Sequence, residues 1–478
     1  MSFSKLAKIE EDNRPVNIVR PYAFSKECMS NTLNLHDTYP TQVAIRRTRT
    51  EELNPVNSIQ NSTYAQFRIT SHGSEVIDPF NTFLKVELKV QRKDGAALKE
   101  DDVALLVNNP PSSMWKSVRA DMNGTNVQEA DGLYPYRANV EKSLMATTQA
   151  QYGSYCLAGF VPERVKFDSL KLKKDQLEEK SDEAKKGAGK PDKSAKPFIQ
   201  RCELTRKNAT LLYIDSIHAD IFRQDKKLPP GTELTLWFDR HDNTDFIIKT
   251  FKNEENPYKL VLNKAVLLVR YCLLDDGVVN EMMTMLQKIP YQIPIRRVEM
   301  NYFSKASGIS DYSEPNALVK EGNFVPRRIF FFAIEQDAFH GDTKKDPFFY
   351  KNLKPNMISL RLGGQTRPYP EIQMNRKEIN CDYSEPLFYL YQAVGTCFSN
   401  DAQIPIHLED MDTGNFIIGF DLTSVDADNA FELAEKTTVE LKYKLSEAPN
   451  EPHILLVYME YDSEIQINSE GQVQILKN

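Results

Sequence analysis

The stretch Leu211–Asn243, LLYIDSIHADIFRQDKKLPPGTELTLWFDRHDN, stands near the middle of the chain, and its reading decides the fold class. Along the first arm Tyr213, Ile217, Ala219 and Ile221 share one face at period two, interrupted by Asp215. Leu212, Ile214, His218, Asp220 and Phe222 share the other face. A strand largely apolar on both faces belongs inside a two-layer β structure. Leu228-Pro229-Pro230-Gly231 ends this arm, because proline donates no ladder hydrogen bond and glycine tolerates positive φ. The return arm alternates again, with Leu234, Leu236 and Phe238 against Thr235, Trp237 and Asp239. The expectation is a hairpin that closes one β domain, with a second domain of the same kind after it.

Strand signals continue outward in both directions. Toward the N-terminus lie Tyr64 to Ile69, Val103 to Val107, Val118 to Met122, and Phe83 to Val90. In the last of these Leu84, Val86, Leu88 and Val90 alternate with Lys85, Glu87 and Lys89, the pattern of a half-exposed antiparallel strand. Asn123-Gly124 predicts a two-residue type I′ turn, since both central positions need positive φ. Tyr134 to Met145 is the first helical pattern, with Ala138, Glu141, Lys142 and Met145 at helical spacing. Toward the C-terminus the strands are Leu260 to Leu262, Ala265 to Leu274, Ile295 to Phe303, Arg328 to Ile334, Met357 to Leu362, Phe416 to Leu422, Thr437 to Leu445 and His453 to Met459. Arg328 to Ile334 is apolar enough to be central. Val278 to Leu286 predicts a short helix whose methionines pack in a core. Many short strands, few helices and frequent turns place the chain in the all-β class. Gly124 and Gly364 stand about 240 positions apart, half the chain, in similar sequence surroundings, as a tandem duplication would place them.

Composition narrows the function. The 478 residues exceed one ordinary core and predict two or three domains. A net charge of −7 excludes a nucleic-acid binder that is basic over its whole surface. Six cysteines without a CxxC pair or metal-ligand spacing read as reduced thiols. No apolar leader follows Met1, and no run approaches the ~18 apolar residues of a membrane helix, so the expectation is a soluble protein outside the secretory route. On that reading the sequons at Asn61, Asn123 and Asn208 are chance matches. Residues 1–60 are polar, with a basic run at Arg46-Arg47-Thr48-Arg49. They read as an arm that docks on a neighbour or on an inner nucleic acid. Residues 166–196 are too charged to bury much surface and read as a long solvated loop. Gly187-Ala188-Gly189-Lys190 within it lacks the spacing and the preceding strand of a phosphate-binding loop.

His218-Ala219-Asp220 is the strongest candidate for chemistry. On a strand the two side chains share a face, and such a pair with a distant third histidine can bind iron. His241, His340 and His407 are the candidate third ligands. The competing reading puts His218 and Asp220 in a polar seam, and the absence of a cosubstrate-binding arginine near any of these histidines favours it. No Gly-x-Ser-x-Gly elbow exists for a hydrolase triad, and Glu409-Asp410-Met411-Asp412 lacks calcium-loop spacing. The expectation is no catalytic, metal or cofactor residue.

Several segments, in order, resemble the major capsid proteins of polinton (Maverick) elements, adintoviruses and related polinton-like viruses. They are Asn108-Asn109 through Asn123-Gly124, and Tyr134 to Glu141 (YPYRANVE) with Leu144. Ile217 to Asp225 (IHADIFRQD) follows, with Leu228 and Leu234 to Phe238, then Lys264 to Arg270 (KAVLLVR). The last are Pro326 to Tyr350 (PRRIFFFAIEQDAFHGDTKKDPFFY) and Leu360 to Tyr369. The resemblance implies a double jelly roll, two tandem eight-stranded antiparallel β-sandwiches with short helices and long loop insertions. The expected division is an arm over 1–60, a first jelly roll over 61–250 and a second over 251–478. It further implies a homotrimeric, pseudo-hexagonal capsomer that tiles an icosahedral virion shell. A single jelly-roll penton protein, a minor capsid protein, a maturation protease and a packaging ATPase are the implied partners. Assembly inside the host cell, in nucleus or cytoplasm, is expected, and no catalytic residue or cofactor is carried over. Two alternatives stay open at this point: a jelly-roll metal-dependent oxygenase using His218 and Asp220, and a cell-encoded, capsid-derived binding module.

Overall fold

The computed structural model describes residues 41–163 except 61, 100, 101 and 103, and residues 201–250 except 202, 203 and 206–208. It further describes 256–314, 324–374, 383–398, 404–423, 431 and 435–477. The charged stretch 166–196, with Gly187 to Lys190, and residues 1–40 of the expected arm lie outside the described residues. One compact unit runs from Ala44 to Asn478.

Among the described residues, ten strands lie in the first part of the compact unit. They are β1 (Ile45–Leu53), β2 (Tyr64–Thr70), β3 (Glu75–Arg92), β4 (Leu105–Leu106), β5 (Trp115–Met122), β6 (Thr125–Gln128), β7 (Leu211–Ser216), β8 (Glu233–Arg240), β9 (Ile248–Lys249) and β10 (Tyr258–Leu274). Nine follow: β11 (Tyr291–Lys305), β12 (Asp311–Glu314), β13 (Arg328–Glu335), β14 (Pro355–Leu362), β15 (Gln365–Gln373), β16 (Ile417–Asp421), β17 (Val439–Leu445), β18 (His453–Ile467) and β19 (Val473–Lys477). The first set builds sheets of order β1-β10-β3-β7 and β2-β8-β5-β6, and a short β4-β9 ladder. The second builds β11-β18-β13-β16 and β12-β17-β14-β15, with β19 added to β18.

Taken in chain order, β1, β2, β3, β5, β6, β7, β8 and β10 occupy the places that β11 to β18 occupy in the second set. The chain therefore uses one eight-stranded topology twice, and the fold is a double jelly roll. The echo noticed in the sequence falls on one pair of equivalent hairpins. Asn123-Gly124 joins Met122 to Thr125 of β5 and β6, and Gly363-Gly364 joins Leu362 to Gln365 of β14 and β15. All four turn residues have positive φ (49°, 81°, 55° and 85°), as two-residue hairpins require.

Alternation places the cores. Leu84, Val86, Leu88 and Val90 of β3 are buried, as are Phe67 and Ile69 of β2 and Leu234, Leu236 and Phe238 of β8, so both sheets of the first roll feed one core. In the second roll β13 is flanked by β18 and β16, and Ile329 to Ile334 are all buried, as their unbroken apolar run predicts. Two helices matter below: α1 (Tyr134–Leu144) and α2 (Asp276–Leu286).

Four expectations change. Leu211–Asn243 is not a hairpin: β7 pairs with β3 and β8 with β2 and β5, in different sheets. The chain between them crosses from one sheet to the other, with a 3-10 turn at Asp220–Arg223. Local pattern marks a strand but not its partner, and partnership is a long-range choice. Strand β10, expected after a division at residue 250, hydrogen-bonds to β3 (Leu84 opposite Leu267) and to β1. The basic run expected in the arm lies on β1, where Arg46 pairs with Asp275 at 2.7 Å and Arg49 with Glu75 at 2.9 Å. The methionines of α2 divide: Met282 packs half-buried against Val76, Cys272 and Leu274, while Met283 and Met285 are exposed. No residue of that helix is buried, and Met285 is 54% exposed.

Candidate functional site at the joint between the two rolls

Helix α1 has no solvent face. Every residue but Ser143 is buried, including Arg137, Glu141 and Lys142. Pro135 sits in its first turn, where proline's missing N–H costs nothing. Charged groups buried this deeply must find partners inside the protein. Arg137 and Glu141 lie one turn apart on α1 and pair directly, Nε to Oε1 at 2.9 Å.

Glu141 is the hub. Its Oε1 accepts from Arg137 and from the Tyr458 hydroxyl (3.3 Å), and its Oε2 accepts from His218 Nδ1 (2.6 Å) and Arg223 (2.9 Å). Asp220 Oδ1 receives the other arm of Arg137 at 2.6 Å and the backbone N–H of Val298 at 3.3 Å. Arg137 and Glu141 come from α1, and His218, Asp220 and Arg223 from the β7–β8 crossing. Val298 and Tyr458 come from β11 and β18 of the second roll. The network thus ties one jelly roll to the other.

Protonation follows from these contacts. Burial would push the Glu141 carboxyl up, but Arg223, Arg137 and His218 outweigh it and hold it well below the usual range. Burial works against the Arg137 charge as well, and Asp220 and Glu141 keep the guanidinium ionised. His218 is pushed down by burial despite Glu141, so its ring is neutral at neutral pH and donates from Nδ1 to the carboxylate. Asp220 is pushed up by burial against the pull of Arg137. A cavity of about 370 Å³ adjoins the network, bordered by Arg223, Arg296, Arg328 and Tyr458.

The joint extends beyond this cluster. Tyr350 donates to Asn139 Oδ1 at 2.7 Å, and Asn123 Nδ2 to the Gly471 carbonyl at 2.8 Å. Lys249, depressed to about 8 by burial, donates to the Asp342 carbonyl at 2.8 Å. Tyr136 stacks on Phe339 with ring centroids 5.6 Å apart.

The histidines considered as ligands do not converge. His218 and Asp220 meet the arginines and Glu141, with Asp220 on the 3-10 turn rather than a strand. His241 stacks on Phe246 at 4.2 Å, His340 ends a one-turn helix at Gln336–His340, and His407 caps the 3-10 turn at Leu408–Asp412. Among the described residues no group of three or more His, Cys, Asp or Glu suits a metal ion. Within Glu409 to Asp412, Asp410 accepts from the backbone N–H of His407, and Asp412 accepts from Asn352 and Tyr383. Among the described residues no helix is long and apolar enough to cross a membrane. Arg223, Val298 and Tyr458 were not singled out in the sequence, because nothing local marks them as partners of a distant helix. Charges in a helix without a polar face were the available signal.

No family model matches the sequence. The chain is similar to an uncharacterized protein of Caenorhabditis elegans, 23% identical over 440 residues, covering 88% of this chain and 95% of that protein. In structure it is similar to a chain of the Sputnik virophage cryo-EM structure, with TM-score 0.61, 11% identity, and 97% of this chain and 94% of that one covered. The mavirus major capsid protein follows at TM-score 0.52, 11% identity and coverage of 97% and 96%. The Faustovirus major capsid protein gives TM-score 0.51, 8% identity and coverage of 93% and 92%. At such identities the likeness is one of fold, and it runs nearly end to end. The chain has the double jelly-roll architecture of these viral capsid proteins.

Proposed function

We propose that the chain is a major capsid protein of the polinton and adintovirus kind, a structural subunit and not an enzyme. One observation carries this reading: both rolls, with the same strand order and a buried joint between them, are matched together over almost the whole chain by viral capsid proteins. Two wedge-like domains per chain suit a homotrimer with a pseudo-hexagonal outline that tiles an icosahedral shell in the virion. In this proposal the first jelly roll runs through β10 and the second begins at β11, with α2 as connector, because β10 is hydrogen-bonded into the first roll's sheet. The resemblance to polinton proteins over Tyr134 to Glu141 and Ile217 to Asp225 supports the narrower assignment, since those segments supply the joint. Neighbouring capsomers, a penton protein and a minor capsid protein are the partners it implies, with a maturation protease and a packaging ATPase acting during assembly. The N-terminal segment is assigned an inner-face contact with DNA.

Negative-stain imaging with size measurement of the purified chain tests the proposal. Trimers or closed shells are the expected result, and a chain that stays monomeric at high concentration overturns it. For the arm, deletion of residues 1–40 spares β1. Unchanged assembly and nucleic-acid content in that variant would remove the DNA contact from the proposal.

A further inference from the structure

On the opposite side of the buried helix from its arginine lies a second arrangement. Lys142 of α1 is wholly buried, and its Nζ donates to Asp215 Oδ1 at 2.5 Å and to Asn109 Oδ1 at 2.7 Å. Asn109 is itself wholly buried, is held in the left-handed region at φ 53°, and its Nδ2 has no hydrogen-bond partner. Asp215, the residue that interrupts the apolar row of β7, is buried and receives Ser112 Oγ on its other oxygen at 2.5 Å. The Tyr155 ring stands 5.5 Å from Nζ.

We propose that Lys142 and Asn109 form an intramolecular isopeptide bond, with Asp215 as the catalytic carboxylate. The geometry supplies each requirement. Burial pushes the Lys142 ammonium below its ordinary value, which favours the neutral, nucleophilic amine. Asp215 lies within proton-transfer reach of Nζ. The Asn109 carbonyl carbon stands one C=O bond, about 1.2 Å, from the oxygen that Nζ already touches. A small side-chain rotation brings the nitrogen over the carbonyl face, at a near-attack separation.

The step balances without a co-reactant. Nζ passes one proton to Asp215 and attacks Cγ, forming the Nζ–Cγ bond. Asp215 delivers that proton to Nδ2, the Cγ–Nδ2 bond breaks, and ammonia leaves. Nζ keeps its other hydrogen as the N–H of the new amide, and Asp215 is again a carboxylate. The unpartnered Nδ2 is the leaving group, and its lack of a hydrogen bond means that none is lost when it goes. The product ties the residue ahead of Pro110 to α1 within the first roll, and this holds whatever the chain assembles into.

Intact-mass measurement of the denatured full chain, fresh and after prolonged incubation, tests the proposal. The expected mass is lower than that of the sequence by one ammonia, and digestion yields a branched peptide joining Asn109 to Lys142. Asn109→Ala and Asp215→Asn should restore the full mass. If either variant fails to fold, the digest of the natural chain decides alone. An unreduced mass at both times overturns the proposal. So does an ammonia loss that maps elsewhere, such as a succinimide at Asn123 ahead of Gly124.

Discussion

Replacing Glu141 by glutamine keeps the shape of the hub and removes its charge. Four donors converge on the carboxylate, from Arg137, Tyr458, His218 and Arg223. The amide offers only one acceptor oxygen, and its NH2 faces groups that donate. Breaking a buried ion pair from one side costs about 3–5 kcal/mol, because the remaining charge stays desolvated. Three features place the expected loss near the lower end. Arg137 keeps Asp220, and the Arg223 side chain, 30% exposed, can be hydrated again. The neutral His218 ring can also move its proton to Nε2 and accept from the new amide. About 3 kcal/mol is therefore expected. At an unfolding entropy of about 2 cal/mol/K per residue, a cooperative unit spanning 44–478 would shift its Tm by only about 3 °C. Denaturant titration is the sharper assay, and it carries a second readout. If the network couples the rolls, the variant's single transition broadens or divides in two, with a smaller m for each part. A variant with unchanged midpoint and unchanged m would refute the argument that Glu141 locks the joint.

Three further outcomes are expected. His453 is 1% exposed, neither ring nitrogen has a hydrogen-bond partner, and burial beside Lys351 and Lys305 lowers it to about 4. A depressed histidine stabilises the fold above its unfolded value of about 6.5 and loses that contribution as pH falls toward about 4, at up to about 1.4 kcal/mol per pH unit. Unfolding free energy measured between pH 7 and 5 should fall in the natural chain and fall less in His453→Gln, with equal slopes counting against this account. At Gly419 an added Cβ would stand 2.7 Å from Phe330 ring carbons in the core of the second roll. Gly419→Ala is accordingly expected to cost about 1–3 kcal/mol through overpacking, read as a lower denaturation midpoint; a neutral result would mean that β13 and β16 can separate freely. Met285→Lys on α2 should change stability by no more than about 0.5 kcal/mol, since the side chain is exposed and both residues favour helix. A loss well above that would return the methionine to a core.

Much of the fold was legible in residue order alone. Alternation marked β3, the Asn123-Gly124 turn marked the β5–β6 hairpin, and an unbroken apolar run marked β13 as central, because each of these is a local consequence of side-chain period or backbone φ. The tandem echo was legible as well, since equivalent hairpins demand equivalent turn residues. The tertiary structure decided what local chemistry does not encode. It separated Leu211–Ser216 from Glu233–Arg240 into different sheets, because strand pairing is settled between segments far apart in the chain. It turned Met283 and Met285 of α2 outward and left Met282 against a small buried cluster, since an amphipathic period says that a face exists but not which of its residues are covered. It also gathered Arg137, Glu141, His218, Asp220 and Arg223 with Tyr458, more than 300 positions from Glu141, into one buried network. His218 and Asp220 could be named from the sequence. Their partners could not, because a buried charge announces only that it needs one, and the fold chooses which.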